Sequence, residues 1–65
     1  MTFAINTHDS WGVVNVDNFQ SMEEARQVFT LICADPWYKR DGTVKAVELV
    51  DNAAAGQRLD WFAFR

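Results

Sequence analysis

Residues 21–36 read SMEEARQVFTLICADP, and this stretch decides the fold. Ser21 followed by Glu24 has capping-box spacing: the hydroxyl can accept from the backbone N–H three residues on, and the Glu can reach back. Glu23 and Glu24 also sit at the positive end of a helix dipole. Met22, Ala25, Val28, Phe29 and Ile32 recur at helical spacing and form one apolar stripe, with Glu23, Arg26, Gln27 and Thr30 on the other side. Asp35 precedes Pro36, and a residue before proline resists helical geometry, so the helix is predicted to end near Ala34. A helix with a single apolar stripe needs a second layer to cover it.

The flanking sequence supplies that layer as strands. Before the helix, Phe3 to Thr7 and Trp11 to Val16, the latter extending toward Phe19, are short β-type runs, and the second is rich in valine. His8-Asp9-Ser10 between them reads as a polar hairpin turn. After the helix, Pro36 to Arg40 reads as a loop and Asp41-Gly42 as a turn. Thr43 to Asp51 is a strand, Asn52 to Gly56 a loop, and Gln57 to Phe64 the last strand. Short connections favour antiparallel neighbours. The expected fold is α+β: one domain over residues 1–65, with a four-stranded antiparallel sheet in the order strand-strand-helix-strand-strand and the helix packed on one face. Read as alternation, the last two strands are apolar on both faces. Val44, Val50, Phe62 and Phe64 fall opposite Val47, Leu49 and Trp61. Something is therefore expected to cover the second face: the Trp37-Tyr38 loop, a second copy of the chain, or a partner.

Composition narrows the function classes. The chain has 65 residues, 49% hydrophobic and 23% charged, which is globular and argues against disorder. A domain this small has little room for both a core and a deep catalytic cleft. The three Trp and five Phe exceed what so small a core takes up, and exposed aromatics are common binding anchors. Cys33 is the single cysteine and His8 the single histidine, so neither a disulfide within the chain nor a structural zinc site can form. No cofactor is expected. The N-terminal residues lack the pattern of a signal peptide and no apolar run has membrane-spanning length, so a cytoplasmic protein is expected.

Charge is unevenly spread. Asp9, Asp17, Glu23 and Glu24 all precede the first cation, Arg26, whereas the segment from Arg26 to Lys45 is net basic. An acidic first third suits a basic partner and argues against direct contact with nucleic-acid phosphates.

Each candidate site has a plainer reading beside it. His8-Asp9-Ser10 holds the residue types of a hydrolytic triad, but consecutive residues do not converge as a triad must, and a polar turn is preferred. Cys33 falls at the wrong end of the helix dipole for a reactive thiolate and reads as a core-edge residue. Trp37-Tyr38-Lys39-Arg40 could anchor a protein partner or stack on bases beside phosphates. It could equally fold back to plug the end of the core. The carboxylates Asp9, Asp17, Glu23 and Glu24 could form an electrostatic face, or serve singly as turn and helix-start residues.

In its short length and the acidic segment from Asp9 to Glu24, the chain resembles small acidic phage-encoded inhibitors of the anti-CRISPR type. The resemblance is one of general character and carries no shared motif. It implies a compact non-enzymatic protein that binds a basic, nucleic-acid-binding surface of its target, in the manner of a DNA mimic. On this basis the leading expectation is a protein-binding module using Asp9, Asp17, Glu23 and Glu24 as its charged face and Trp37 and Tyr38 as anchors. One alternative is a homodimeric structural or accessory subunit that buries its second sheet face, through Phe62 and Phe64, against itself. A second is nucleic-acid binding through the Trp37–Arg40 stretch.

Overall fold

A computed structural model describes residues 2–64. The chain runs β1 (Phe3–Asp9), β2 (Gly12–Phe19), α1 (Met22–Ala34), α2 (Pro36–Asp41), β3 (Val44–Asp51), a 3-10 turn (Asn52–Ala54) and β4 (Gln57–Ala63). The four strands form one antiparallel sheet in the order β2-β1-β3-β4. This is the expected α+β architecture, with β1 and β3 in the centre and the two edges taken by β2 and β4.

Helix α1 begins and ends as the sequence requires. Ser21 is its N-cap and its hydroxyl accepts from Glu24 N–H. Ala25, Phe29 and Ile32 are buried, and Met22 and Val28 pack partly against them. The sheet meets this stripe with Phe3 and Ile5 of β1, Phe19 of β2 and Val47 and Leu49 of β3. Leu31 points to solvent, 69% exposed.

Three local expectations are corrected. Residues 36–40 are not a loop but belong to the short helix α2. Asp35 Oδ1 accepts from Trp37 N–H at 2.9 Å, Pro36 opens the helix, and Gly42 closes it in the left-handed region at φ 80°. The proline that stops α1 therefore starts α2, which its fixed φ and missing N–H allow. His8 and Asp9 are the last residues of β1 rather than part of the turn, which is the two-residue link Ser10-Trp11. Asp9 Oδ1 accepts from Trp11 N–H at 2.8 Å and tightens that link.

The third correction concerns β4. Val47 pairs with Phe62 and Glu48 with Trp61, so Phe62 lies on the helix-covered face and Trp61 on the open one, the reverse of the sequence reading. Phe62 and Phe64 pack against the main core. Tyr38 of α2 stacks on Phe64 with ring centroids 5.5 Å apart, which ties α2 to the same face. Phe62 and Phe64, expected on the uncovered face, are instead partly buried on the helix side.

Truncating Phe29→Ala should cost roughly 3–5 kcal/mol in urea unfolding, because it leaves a cavity at the centre of the helix–sheet contact. Leu31→Ala, two residues away on the exposed side, should stay within about 0.5 kcal/mol of the parent.

Candidate functional site

Among the described residues no helix covers the second sheet face, yet Ala4, Ala46 and Val50 on it are buried. Asn6 and His8 of β1, Glu48 of β3 and Arg58 and Trp61 of β4 share this face with them, whereas the Trp37-Tyr38 segment packs through Tyr38 against Phe64 on the helix side. Glu48, at the middle of β3, is 8% exposed. Its Oε2 accepts from Asn6 Nδ2 at 2.9 Å and its Oε1 from Arg58 Nε at 3.1 Å. The Arg58 guanidinium also lies over the Trp61 ring, 4.2 Å from its centroid. Trp61 in turn meets the His8 ring edge-to-face at 4.9 Å. His8 Nε2 sits 3.1 Å from Glu48 Oε1, but no directional hydrogen bond forms and Nε2 is buried without one. That contact is one of proximity, and a protonated ring would turn it into an ion pair.

The neighbours of Glu48 favour its charged form. Burial pushes Glu48 up, but the hydrogen bonds from Asn6 and Arg58 and the neighbouring His8 outweigh it and hold the carboxyl below its ordinary value. Each Glu48 oxygen thus accepts one side-chain hydrogen bond from a neighbouring strand. The remaining reactive groups are dispersed. Asp9 is turned to the Trp11 amide while His8 faces Glu48, so His8, Asp9 and Ser10 do not converge. Burial, reinforced by Asp60, pushes the Cys33 thiol up and away from thiolate chemistry. Among the described residues no three His, Cys, Asp or Glu side chains come together as metal ligands. None of the described helices is long and apolar enough to cross a membrane.

The expected binding residues divide between opposite edges of the sheet. Asp17 lies on β2 opposite Ile5, and Glu23 and Glu24 follow within the first turn of α1, all exposed. Asp9 pairs with Gly12 at the other end of the same hairpin, four residues along β1 from Ile5, or about 13 Å at strand rise. The four carboxylates therefore flank β2 at its two ends rather than forming one dense row. Tyr38 stands near the far edge, stacked on Phe64, which continues β4 with a backbone bond to Lys45, and Trp37 meets the Tyr38 ring edge-to-face. Trp37 is half-exposed, whereas Tyr38 is partly withdrawn into the core. The charged face and the two proposed anchors do not make one continuous patch.

The structure exposes a feature that reading the sequence missed. Edge strand β2 carries Trp11 at its hairpin end, 82% exposed, followed by Val13 at 58%, Val14 at 54% and Val16 at 41%. Val13 stands opposite His8 on the open face and Val14 opposite Thr7 on the helix side, so each face of this edge carries an exposed valine near the hairpin end. Trp11-Gly12-Val13-Val14 shows the apolar run, but strand order alone decides whether such a run is central or at an edge. Comparison with protein-family models, with characterised proteins and with solved structures finds no match to this chain.

Glu48→Gln should lower stability by roughly 1–3 kcal/mol at neutral pH, by weakening a charge-assisted cluster. The folded carboxyl titrates below its unfolded value of about 4.5. Its contribution is therefore complete above that pH and is lost as the pH falls through the folded value. Urea midpoints of parent and variant should accordingly differ most near neutrality and converge in acid. A constant difference across that range would place the effect in packing rather than charge.

Proposed function

We propose that this chain is a non-enzymatic protein-binding module whose partner presents a basic surface. Blocking a nucleic-acid-binding surface is the inhibitory role such a module fits. The observation that carries the reading is the β2 edge: exposed Trp11, Val13, Val14 and Val16 lie between Asp9 at one end and Asp17, Glu23 and Glu24 at the other. Exposed apolar side chains clustered on a small domain mark contact surfaces, and a large aromatic at the margin is a common energetic anchor. The surrounding carboxylates select a cationic partner and speed encounter with it. Trp11 replaces Tyr38 as the better-placed anchor, since Tyr38 is engaged with Phe64.

The acidic pattern supports a mimic of nucleic acid only in part. A duplex carries about one charge per 1.7 Å of axis, whereas these carboxylates stand in two groups separated by the length of the hairpin. The apolar edge between them makes a mixed surface, which fits a protein groove with basic margins better than a phosphate track. The alternative of direct nucleic-acid binding draws on exposed Trp37 and Arg40 in α2. It predicts salt-sensitive affinity for DNA or RNA that disappears in Arg40→Glu.

Tagged protein used to capture partners from host lysate should retain a basic or nucleic-acid-processing protein at low salt and release it at high salt. Reversing Asp17 and Glu24 together to Lys should abolish the capture, while Asp41→Lys, on α2 away from β2, should leave it intact. Equal loss from both variants would remove the site assignment. With the captured protein in hand, Trp11→Ala should weaken binding by about tenfold or more. Its thermal unfolding should be unchanged, because the ring is exposed.

A further inference from the structure

The β2 edge has the features of an acceptor for an additional strand. An edge strand presents a row of backbone N–H and C=O groups with no strand beside it. Natural sheets usually blunt such edges with Lys, Pro, a bulge or a covering element. β2, Gly12–Phe19, contains no Lys, Arg or Pro, and its only such devices are Asp17 and one bulge. The register shifts between Ile5 and Asn6, where Asn15 and Asp17 are the partners, so Val16 is the extra residue. Residues 12–15 remain regular, with Val13 and Asn15 exposed on one face and Val14 on the other. The opposite edge differs. There Arg58 and Trp61 of β4 are engaged in the Glu48 cluster, and Asp60 pairs with Arg26 at 3.3 Å.

We infer that β2 is completed by an extended segment of a partner protein, about five residues long, apolar on alternate positions and carrying Lys or Arg at both ends. This inference rests on the reading that the partner is basic, and it specifies how that partner is held. Backbone hydrogen bonds along residues 12–15 supply the pairing. Val13 on the open face and Val14 on the helix side each offer an apolar neighbour to the added strand. The charge pattern decides the occupant. Asp9 lies at one end of the edge and Asp17, Glu23 and Glu24 at the other, with no cation before Arg26. A second copy paired at β2 would bring two such acidic segments together at separations comparable to the screening length of about 8 Å. A segment with cationic ends meets a carboxylate at each end instead.

The test is a titration of the isotope-labelled full chain with the peptide Lys-Lys-Val-Thr-Val-Thr-Val-Lys-Lys, followed by amide shifts and hydrogen exchange. Shifts and slowed exchange should concentrate in residues 12–16. Replacing the four lysines by glutamates should weaken binding by about tenfold or more, since attraction at both ends of the edge becomes repulsion. Two further peptides, N-methylated on alternate residues in the two possible phases, separate backbone pairing from side-chain contact. One phase should fail to bind and the other should bind like the parent, because a single peptide edge is used. Val14→Lys, at an exposed position, should abolish binding while leaving the remaining amide spectrum unchanged. Absence of shifts at millimolar peptide, shifts centred on α1 or α2, or equal binding by both N-methylated phases would overturn strand addition. Concentration-dependent shifts in β2 without any peptide would replace the partner segment by a second copy. If the peptides fail but lysate capture is still lost on reversing Asp17 and Glu24, strand addition falls alone. If the reversal has no effect either, the basic-partner reading falls with it.

Discussion

The pairing of β1 with β3 is the contact on which the rest of the structure depends. It joins segments some forty residues apart, Ile5 to Leu49 and Asn6 to Glu48, and it serves both faces at once. On one face Ile5, Val47 and Leu49 are fully buried beneath α1. On the other, the same pairing sets Asn6 and His8 beside Glu48. A slip of one residue would exchange the two sets, placing a carboxylate under the helix and leucine in water. The hydrophobic contrast between neighbouring positions 47, 48 and 49 thus specifies the register. The local link Ser10-Trp11 then has only to fold β2 onto the outer side of β1.

The two faces of this sheet solve burial differently. The helical face is conventional, with an apolar stripe on apolar strands. The open face buries Ala4, Ala46 and Val50 under polar side chains whose own needs are met laterally: Asn6 and Arg58 satisfy Glu48, and Trp61 receives both the guanidinium and the His8 ring. Long side chains thus share the second face with these buried residues, while α2 packs through Tyr38 against Phe64 on the helix side. The consequence is that surplus apolar surface is moved to the edge. With Phe62, Phe64 and Tyr38 packed against the core, the large apolar groups left exposed among the described residues are Trp61 on β4, Leu31 and Trp37 on the helices and the set along β2.

Much of the fold is legible in the residues themselves. Ser21, Glu24 and the stripe from Met22 to Ile32 announce α1, and Asp35-Pro36 its end, because capping and proline sterics act within a few residues. The same local chemistry encodes α2 through Asp35, Pro36 and Gly42. A proline marks a stop for one helix and a start for another equally well, and reading it only as a stop hides α2. Valine content identifies β2 as a strand, and the acidic character of the first third is plain.

Strand order, register and exposure belong to the tertiary structure. Whether Trp61 or Phe62 faces the helix depends on a bulge opposite Leu49 and Val50, which displaces alternation by one residue, and no pattern within β4 alone reveals it. Whether Asp9 stands with Asp17 depends on the hairpin between them, which sets them at its two ends. Whether Val13 and Val14 are core or surface depends on β3 choosing the far side of β1, since the same run between two strands would be interior. The sequence by itself determined the elements and their charge, because those arise from neighbours along the chain. Only the tertiary structure decided which strand is the edge, because that is set by pairing between segments some forty residues apart.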